Sequence, residues 1–327
     1  MAGADTWSHD PGSTHDTGPN AGPNAGPNAG QNAGPGAGPA GGVLALHGFT
    51  GNPSSVRGLA EAMAAAGYHV ELPRLPGHGT TVDDMITTGC ADWAAEAEAA
   101  LGRLARRTDR IVVAGLSMGG SLALRTALDH PEIRGLVLVN PATRTQADDV
   151  RTMVGEMLAD GTAVVPGIGS DIASPDVQEL AYGGTPLVPL ISFLDDGLAP
   201  MADRYGELSM PLLLFTSRQD HVVEPAQSEH LAAAYGGPVD HRWLERSFHV
   251  ATQDYDRDDI FAAAIEFAGQ VAEPRGEATN EHARLVGAAG SSERARQNRV
   301  AASERTQPLG SSVAVGARPA GARPQRP

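Results

Sequence analysis

Between residues 43 and 270, short apolar runs alternate with longer Ala-rich stretches that mix apolar and polar positions. The runs Val43–Leu46, Tyr68–Leu72, Ile111–Ala114, Leu136–Val139, Leu212–Phe215 and Val239–Leu244 have strand length and strand composition. The stretches near 54–66, 91–107, 118–129, 225–235 and 256–270 read as helices. Gly67 stops the first of these and Pro131 follows the third. Strand–helix alternation with continuously apolar strands predicts an α/β fold, a mostly parallel, doubly wound sheet flanked by helices. One interval breaks the pattern. About 70 residues separate Leu136–Val139 from Leu212–Phe215, far beyond an ordinary connection. Its short helical pieces, Gly and Pro predict a cap inserted over one end of the sheet, at about residues 141–207.

The two ends of the chain differ in texture. Residues 18–30 repeat Gly-Pro-Asn-Ala, with no apolar side chain to offset the ordering entropy of Gly. Residues 1–42 are therefore expected to be disordered and to hold no strand. The tail 271–327, with nine Arg against five Glu, is expected to be a disordered, solvated extension. The domain proper is then 43–270.

Net charge narrows the partners. The chain carries −15, and every basic residue is Arg. An acidic body disfavours nucleic acid and anionic membrane surfaces. No apolar run approaches the ~20 residues that span a bilayer, so no stable membrane insertion is expected. The opening MAGADTWSHD has no basic residue and no apolar stretch, unlike a secretory signal. The single cysteine, Cys90, excludes an internal disulfide framework and a cysteine-rich metal site, and it is expected to be buried and inert. A soluble cytoplasmic protein follows, of open oligomeric state.

The chemistry is concentrated at Gly115-Leu116-Ser117-Met118-Gly119, a G-x-S-x-G pattern. A β-branched run precedes it and a helix-forming run follows, which is the strand–turn–helix setting of a nucleophilic serine. Small neighbours suit a tight, strained turn that lifts the Ser117 hydroxyl to a helix N-terminus. Such a serine needs a general base, and the base needs an orienting carboxylate. Chain order in this setting is serine, acid, base. Asp220 closes the polar loop after Leu212–Phe215, and His249 follows the last strand by five residues, so they are the candidate acid and base. His221 and Glu224 lie near Asp220 in sequence. His241, inside a strand, is expected at the surface, and His130 at a helix C-terminus. Asp254 and Asp256 are expected to cap the last helix. A tetrahedral intermediate needs two N–H donors. The N–H of Met118 is one candidate, and that of Phe49, in Leu46-His47-Gly48-Phe49-Thr50-Gly51, is the other. His47 is expected to be structural, and His78 to hydrogen-bond within a turn near the site.

The segments LHGFTGNP, LPRLPGHGT, GLSMGG, GIGSDIASPDVQELAYGGTP, DHVVEP and SFHVATQDYD occur in this order over 43–270. Together they resemble the bacterial monoacylglycerol lipase and carboxylesterase family of the α/β-hydrolase superfamily. The resemblance implies an α/β-hydrolase fold with the cap inserted after the sixth-strand equivalent. It implies a serine hydrolase of short- to medium-chain esters, with monoacylglycerols as expected substrates and neither metal nor organic cofactor. Ser117, Asp220 and His249 fall on the family's catalytic triad, and Phe49 and Met118 on its oxyanion donors. Ile168 and Glu179 match the cap residues that line the glycerol end of the family's pocket. Where the family often carries a Glu-Lys pair after the tyrosine of the AY motif, this chain has Gly183 and Gly184, from which a looser cap is expected. A thioesterase, a peptidase or amidase, and a non-catalytic binding protein on the same fold stay open at this point.

Overall fold

The structure is a computed structural model and describes residues 4–11, 41–145 and 148–272. The expectations about the Gly/Pro/Asn/Ala repeat and the Arg-bearing tail lie outside those residues. The strands are β1 (Trp7–His9), β2 (Gly42–Leu46), β3 (His69–Leu72), β4 (Ile111–Leu116), β5 (Gly135–Val139), β6 (Val164–Pro166), β7 (Gly184–Pro186), β8 (Leu212–Ser217) and β9 (Val239–Leu244). The helices are α1 (Ser54–Ala65), α2 (Val82–Ile86), α3 (Cys90–Ala105), α4 (Met118–Asp129), α5 (Asp148–Ala159), α6 (Leu187–Ser192), α7 (Pro225–Ala234) and α8 (Arg257–Ala272). The main sheet has seven strands in the order β1-β3-β2-β4-β5-β8-β9, parallel throughout except at β1. This is the α/β fold expected from the alternation.

The continuous apolar runs conceal a period of two. Leu44, Leu46, Val113, Leu136, Leu138, Leu212 and Leu214 pack into one core with α3 and α4. Val43, Ala45, Val112, Ala114, Val137, Val139, Leu213 and Phe215 pack into the other with α1 and α8. Helices cover both faces of the sheet, so neither face needs polar side chains.

Residues 1–42 do contribute a strand, which corrects the expectation. Trp7–His9 pairs antiparallel with β3, in the register Trp7 to Leu72 and His9 to Val70. Trp7 is buried in the α1/α8 core, and Arg57 stacks 5.2 Å over its ring. The segment is pinned on both sides of the strand. Arg74 N–H donates to Thr6 Oγ1 at 3.0 Å, and Arg107 pairs with Asp10 at 2.6 Å. Three residues are too short to show alternation, and the anchors are distant in sequence, so the strand left no local signal.

The cap occupies the interval between β5 and β8. It contains α5, the small antiparallel β6–β7 ladder, α6 and a π-helical turn at Phe193–Leu198. Gly184 lies in β7, where a Cβ would come 2.6 Å from Val164 Cγ1 on β6, whereas a Cβ on Gly183 would meet nothing within 4 Å.

Because the sheet strands run parallel, the loops after β2, β4, β5, β8 and β9 emerge at one rim, beneath the cap. The edge strand makes a testable contribution. Trp7→Ala should destabilise the fold by about 3 kcal/mol through the cavity it leaves, lowering Tm by roughly 6–12 °C in calorimetry. An unchanged Tm would mean that β1 adds nothing to the fold.

Candidate active site

Ser117 links β4 directly to α4 with φ 56° and ψ −120°, in the left-handed region that a side chain rarely enters. Surrounding contacts hold this strain in place. Ser117 N–H donates to Val139 O at 3.0 Å, and Ser117 O accepts from Gly120 N–H at 2.9 Å. A Cβ on Gly119 would overlap the carbonyl oxygen of Leu46, so only glycine lets α4 begin hard against the end of β2. Met118 is the first residue of α4, and its N–H has no acceptor within its own helix. The loop after β2 runs beside it. A Cβ on Gly48 would sit 3.3 Å from Ser117 Cβ.

His249 lies in the loop after β9, and its Nδ1 hydrogen-bonds Asp220 Oδ2 at 2.8 Å. The Asp220 side chain is only 1% exposed and that of His249 8%. The other carboxylate oxygen of Asp220 accepts the N–H groups of Val222 and Val223, at 2.9 and 2.8 Å. One oxygen thus shapes its own loop while the other faces the imidazole. Ser117, His249, Phe49 and Met118 all line a single cavity of about 390 Å³. The cap adds Leu190, Phe193, Leu194 and Leu198 to its wall, and the loop that carries Asp220 adds Val222 and Val223.

Ile168 and Glu179 line the same cavity, Ile168 as a largely exposed rim residue. Glu179 reaches the loop after β2, where a Cβ on Gly51 would come 3.0 Å from its Oε1. Burial lifts the Glu179 carboxyl above its usual range; His249 pulls the other way, and Asp171 reinforces the rise.

The remaining candidates lie elsewhere. His241 is half-buried and bonded to Thr216 Oγ1 at 2.8 Å. His130 sits between Glu98 and Glu132 at the end of α4. Cys90 is buried at the start of α3, where burial raises its thiol. Glu224 immediately precedes α7 and does not line the cavity. His78 hydrogen-bonds within its turn as expected, its Nδ1 lying 3.1 Å from Pro76 O, and it is fully buried, in edge contact with His47 and Trp93.

His47 accepts Leu75 N–H at Nε2, at 3.2 Å, so its proton sits on Nδ1 and is donated to Gly48 O at 3.1 Å. It braces the loop that carries Phe49.

Asp254 and Asp256 were expected to cap the last helix, but their carboxylates turn back instead. Asp256 accepts Ser247 N–H at 2.9 Å and Ser247 Oγ at 2.8 Å. Asp254 accepts Phe248 N–H at 2.9 Å and Ala173 N–H at 2.7 Å. Two further residues escaped sequence reasoning. Asn140, at φ 46°, donates to His249 O at 2.8 Å and accepts Ser217 N–H at 2.7 Å. The Asn-Pro pair ending β5 was its only signal. Asp171, in the cap, accepts His249 N–H at 3.0 Å. Its partners are remote in sequence, and no local pattern marks it.

A family model described as "Serine aminopeptidase, S33" (Hydrolase_4) matches residues 37–256. The chain belongs to this family. It is a serine hydrolase of the α/β-hydrolase fold, as the resemblance implied. A thermostable monoacylglycerol lipase of Bacillus sp. (strain H-257) is 42% identical over 229 residues, covering 69% of this chain and 89% of the relative. A carboxylesterase of Bacillus subtilis (strain 168) is 27% identical over 228 residues, covering 69% and 91%. Among solved structures, one from a study of the metagenome-derived lipolytic enzymes LipS and LipT has a TM-score of 0.70 at 35% identity. It covers 83% of this chain and 99% of that one. Among the described residues, no helix is long and apolar enough to cross a membrane.

The buried histidines of this family member set a pH limit. Burial pushes His47 down to about 4, and holds His78 well below the usual imidazole range with His47 repelling its charge. Both are neutral in the folded protein at pH values where an unfolded histidine binds a proton. Stability should therefore fall as pH drops from about 6.5 towards 4, with His47 alone accounting for about 3 kcal/mol. Urea midpoints measured across that range should show the slope, and His47→Gln should flatten it. An equal slope in the variant would assign the loss to other groups.

Proposed function

We propose that the protein hydrolyses short- to medium-chain carboxylic esters, monoacylglycerols foremost, through an acyl-enzyme on Ser117. The observation that carries this reading is the joint lining of one mostly apolar, cap-covered cavity by Ser117 and by His249, itself hydrogen-bonded to Asp220. The 42% identity to a monoacylglycerol lipase supports the choice of substrate.

In the proposed reaction, Ser117 Oγ attacks the ester carbonyl carbon and its proton passes to His249 Nε2. Asp220 keeps the second imidazole proton on Nδ1 and stabilises the imidazolium. The N–H groups of Phe49 and Met118 hold the developing oxyanion, aided by the positive end of α4. Collapse breaks the carbonyl–oxygen bond, and the leaving alkoxide takes the proton from His249. Water, deprotonated by His249, then releases the acid and restores Ser117. Leu190, Phe193, Leu194 and Leu198 suit an alkyl chain. Glu179 and Ile168 would contact the glycerol end, where a half-buried carboxyl can bond hydroxyl groups.

The family description keeps a second reading in play, cleavage of an aminoacyl amide, with Glu179 holding the substrate's ammonium group. Rates on aminoacyl p-nitroanilides, compared with those on glyceryl monoesters, separate the two. The proposed reading predicts preference for monoacylglycerols over butanoyl to hexadecanoyl chains, peaking at medium length. Ser117→Ala should lower kcat about a thousandfold or more while leaving the fold intact. Near-normal turnover by that variant would end the serine reading. Glu179→Ala should raise KM for monoacylglycerols about tenfold and leave p-nitrophenyl butanoate turnover nearly unchanged. An equal effect on both substrates would remove Glu179 from the glycerol end.

A further inference from the structure

The carbonyl, the N–H and the ring Nδ1 of His249 each have a side-chain partner. Its carbonyl is held by Asn140 Nδ2 at 2.8 Å, and its Nδ1 by Asp220 at 2.8 Å. Its N–H ends on Asp171 Oδ2 at 3.0 Å. Asp171 is the one of these three that the cap supplies, 78 residues away in sequence.

The same carboxylate holds the acid loop. The N–H of His221, next to Asp220, donates to Asp171 Oδ2 at 3.1 Å, and His221 Nδ1 meets Asp171 Oδ1 at 2.7 Å. The Asp171 carbonyl also accepts Val250 N–H at 3.0 Å. The arrangement is reciprocated. Asp254, from the base loop, accepts Ala173 and Ser174 N–H at 2.7 and 3.1 Å, alongside Phe248 N–H at 2.9 Å. Successive N–H groups of Phe248 and His249 thus end on two carboxylates, one from each side of the cap boundary. The Asp171 side chain is 11% exposed, so these bonds are largely shielded from water.

Resting on the proposed triad, we infer that Asp171 is a positioning residue for His249: the cap carboxylate fixes the base loop and the acid loop relative to each other. The cap is then part of the catalytic geometry as well as the wall of the cavity. Displacement of a catalytic group by about 1 Å can cost about a hundredfold in rate, so losing this tie should appear in kcat.

The test uses the full chain. A fluorophosphonate probe is first applied to the wild type and to Ser117→Ala. Labelling of the wild type alone secures the serine reading independently; no labelling of the folded wild type would sink that reading rather than this one. Asp171→Ala and Asp171→Asn are then compared for Tm, labelling rate, and kcat and KM on p-nitrophenyl butanoate. Expected for Asp171→Ala is a kcat per labelled site lower by about ten- to a hundredfold, with KM nearly unchanged and labelling slowed in parallel. Asp171→Asn keeps one acceptor oxygen and should recover part of the rate. A folded Asp171→Ala with wild-type kcat per site, whatever its Tm, overturns the inference, as does an effect confined to KM. If Asp171→Ala does not fold, Asp171→Asn decides. A wild-type labelling rate and kcat in that variant overturn the inference, and a slower rate at unchanged KM supports it.

Discussion

The structure turns on one strained residue. Ser117 stands at φ 56° because β4 passes into α4 without a connecting loop. That conformation costs about 1–3 kcal/mol in isolation, so neighbouring contacts must over-determine it. They do so from three directions: Val139 O takes the Ser117 N–H, α4 folds back onto Ser117 O, and Gly119 seats the helix against Leu46. Two of these contacts come from the strands on either side of β4, namely β5 and β2. The sheet's register is thereby tied to the position of a single hydroxyl.

The rim around that hydroxyl is held largely by carboxylates accepting backbone N–H groups. Asp220 takes Val222 and Val223, Asp256 takes Arg246 and Ser247, Asp254 takes Phe248, Ala173 and Ser174, and Asp171 takes His221 and His249. Loops cannot satisfy their own N–H groups as helices and strands do, and an ionised carboxylate can accept several at once. Part of the chain's acidity therefore serves the internal geometry of the rim. Tyr182 performs a similar task for the cap, donating to Gly77 O at 2.7 Å and accepting Thr80 N–H at 2.9 Å.

The cavity joins these two systems. Its floor comes from the sheet's carboxyl ends, and much of its wall comes from a cap bonded to both the loop carrying His249 and the loop carrying Phe49. The bond from Tyr182 N–H to Thr50 O, at 3.1 Å, ties the cap to the latter. A serine hydrolase whose cap is bonded to both loops in this way can vary its substrate through cap side chains while the reacting groups stay in place.

The parallel sheet, its helices, the cap's existence and the residues Ser117, Asp220 and His249 were legible in the sequence because each leaves a local mark. Apolar runs are strand-length, helices carry stops, and a serine on a glycine-flanked turn follows a strand. The strand at Trp7 was not legible: three residues show no period, and the partners of the segment lie on β3, on α1 and just beyond the end of α3. Asp171, Asn140 and Asp254 were not legible either, because a carboxylate or amide that serves distant N–H groups looks like any surface polar residue until the chain brings them together. The sequence by itself determined the alternation of the main parallel strands and helices, and it marked Ser117, Asp220 and His249 as candidate reacting groups. Only the tertiary structure decided which polar residues brace the loops around those groups, since hydrogen-bond partners 50 to 109 residues apart are chosen by packing, not by any local pattern.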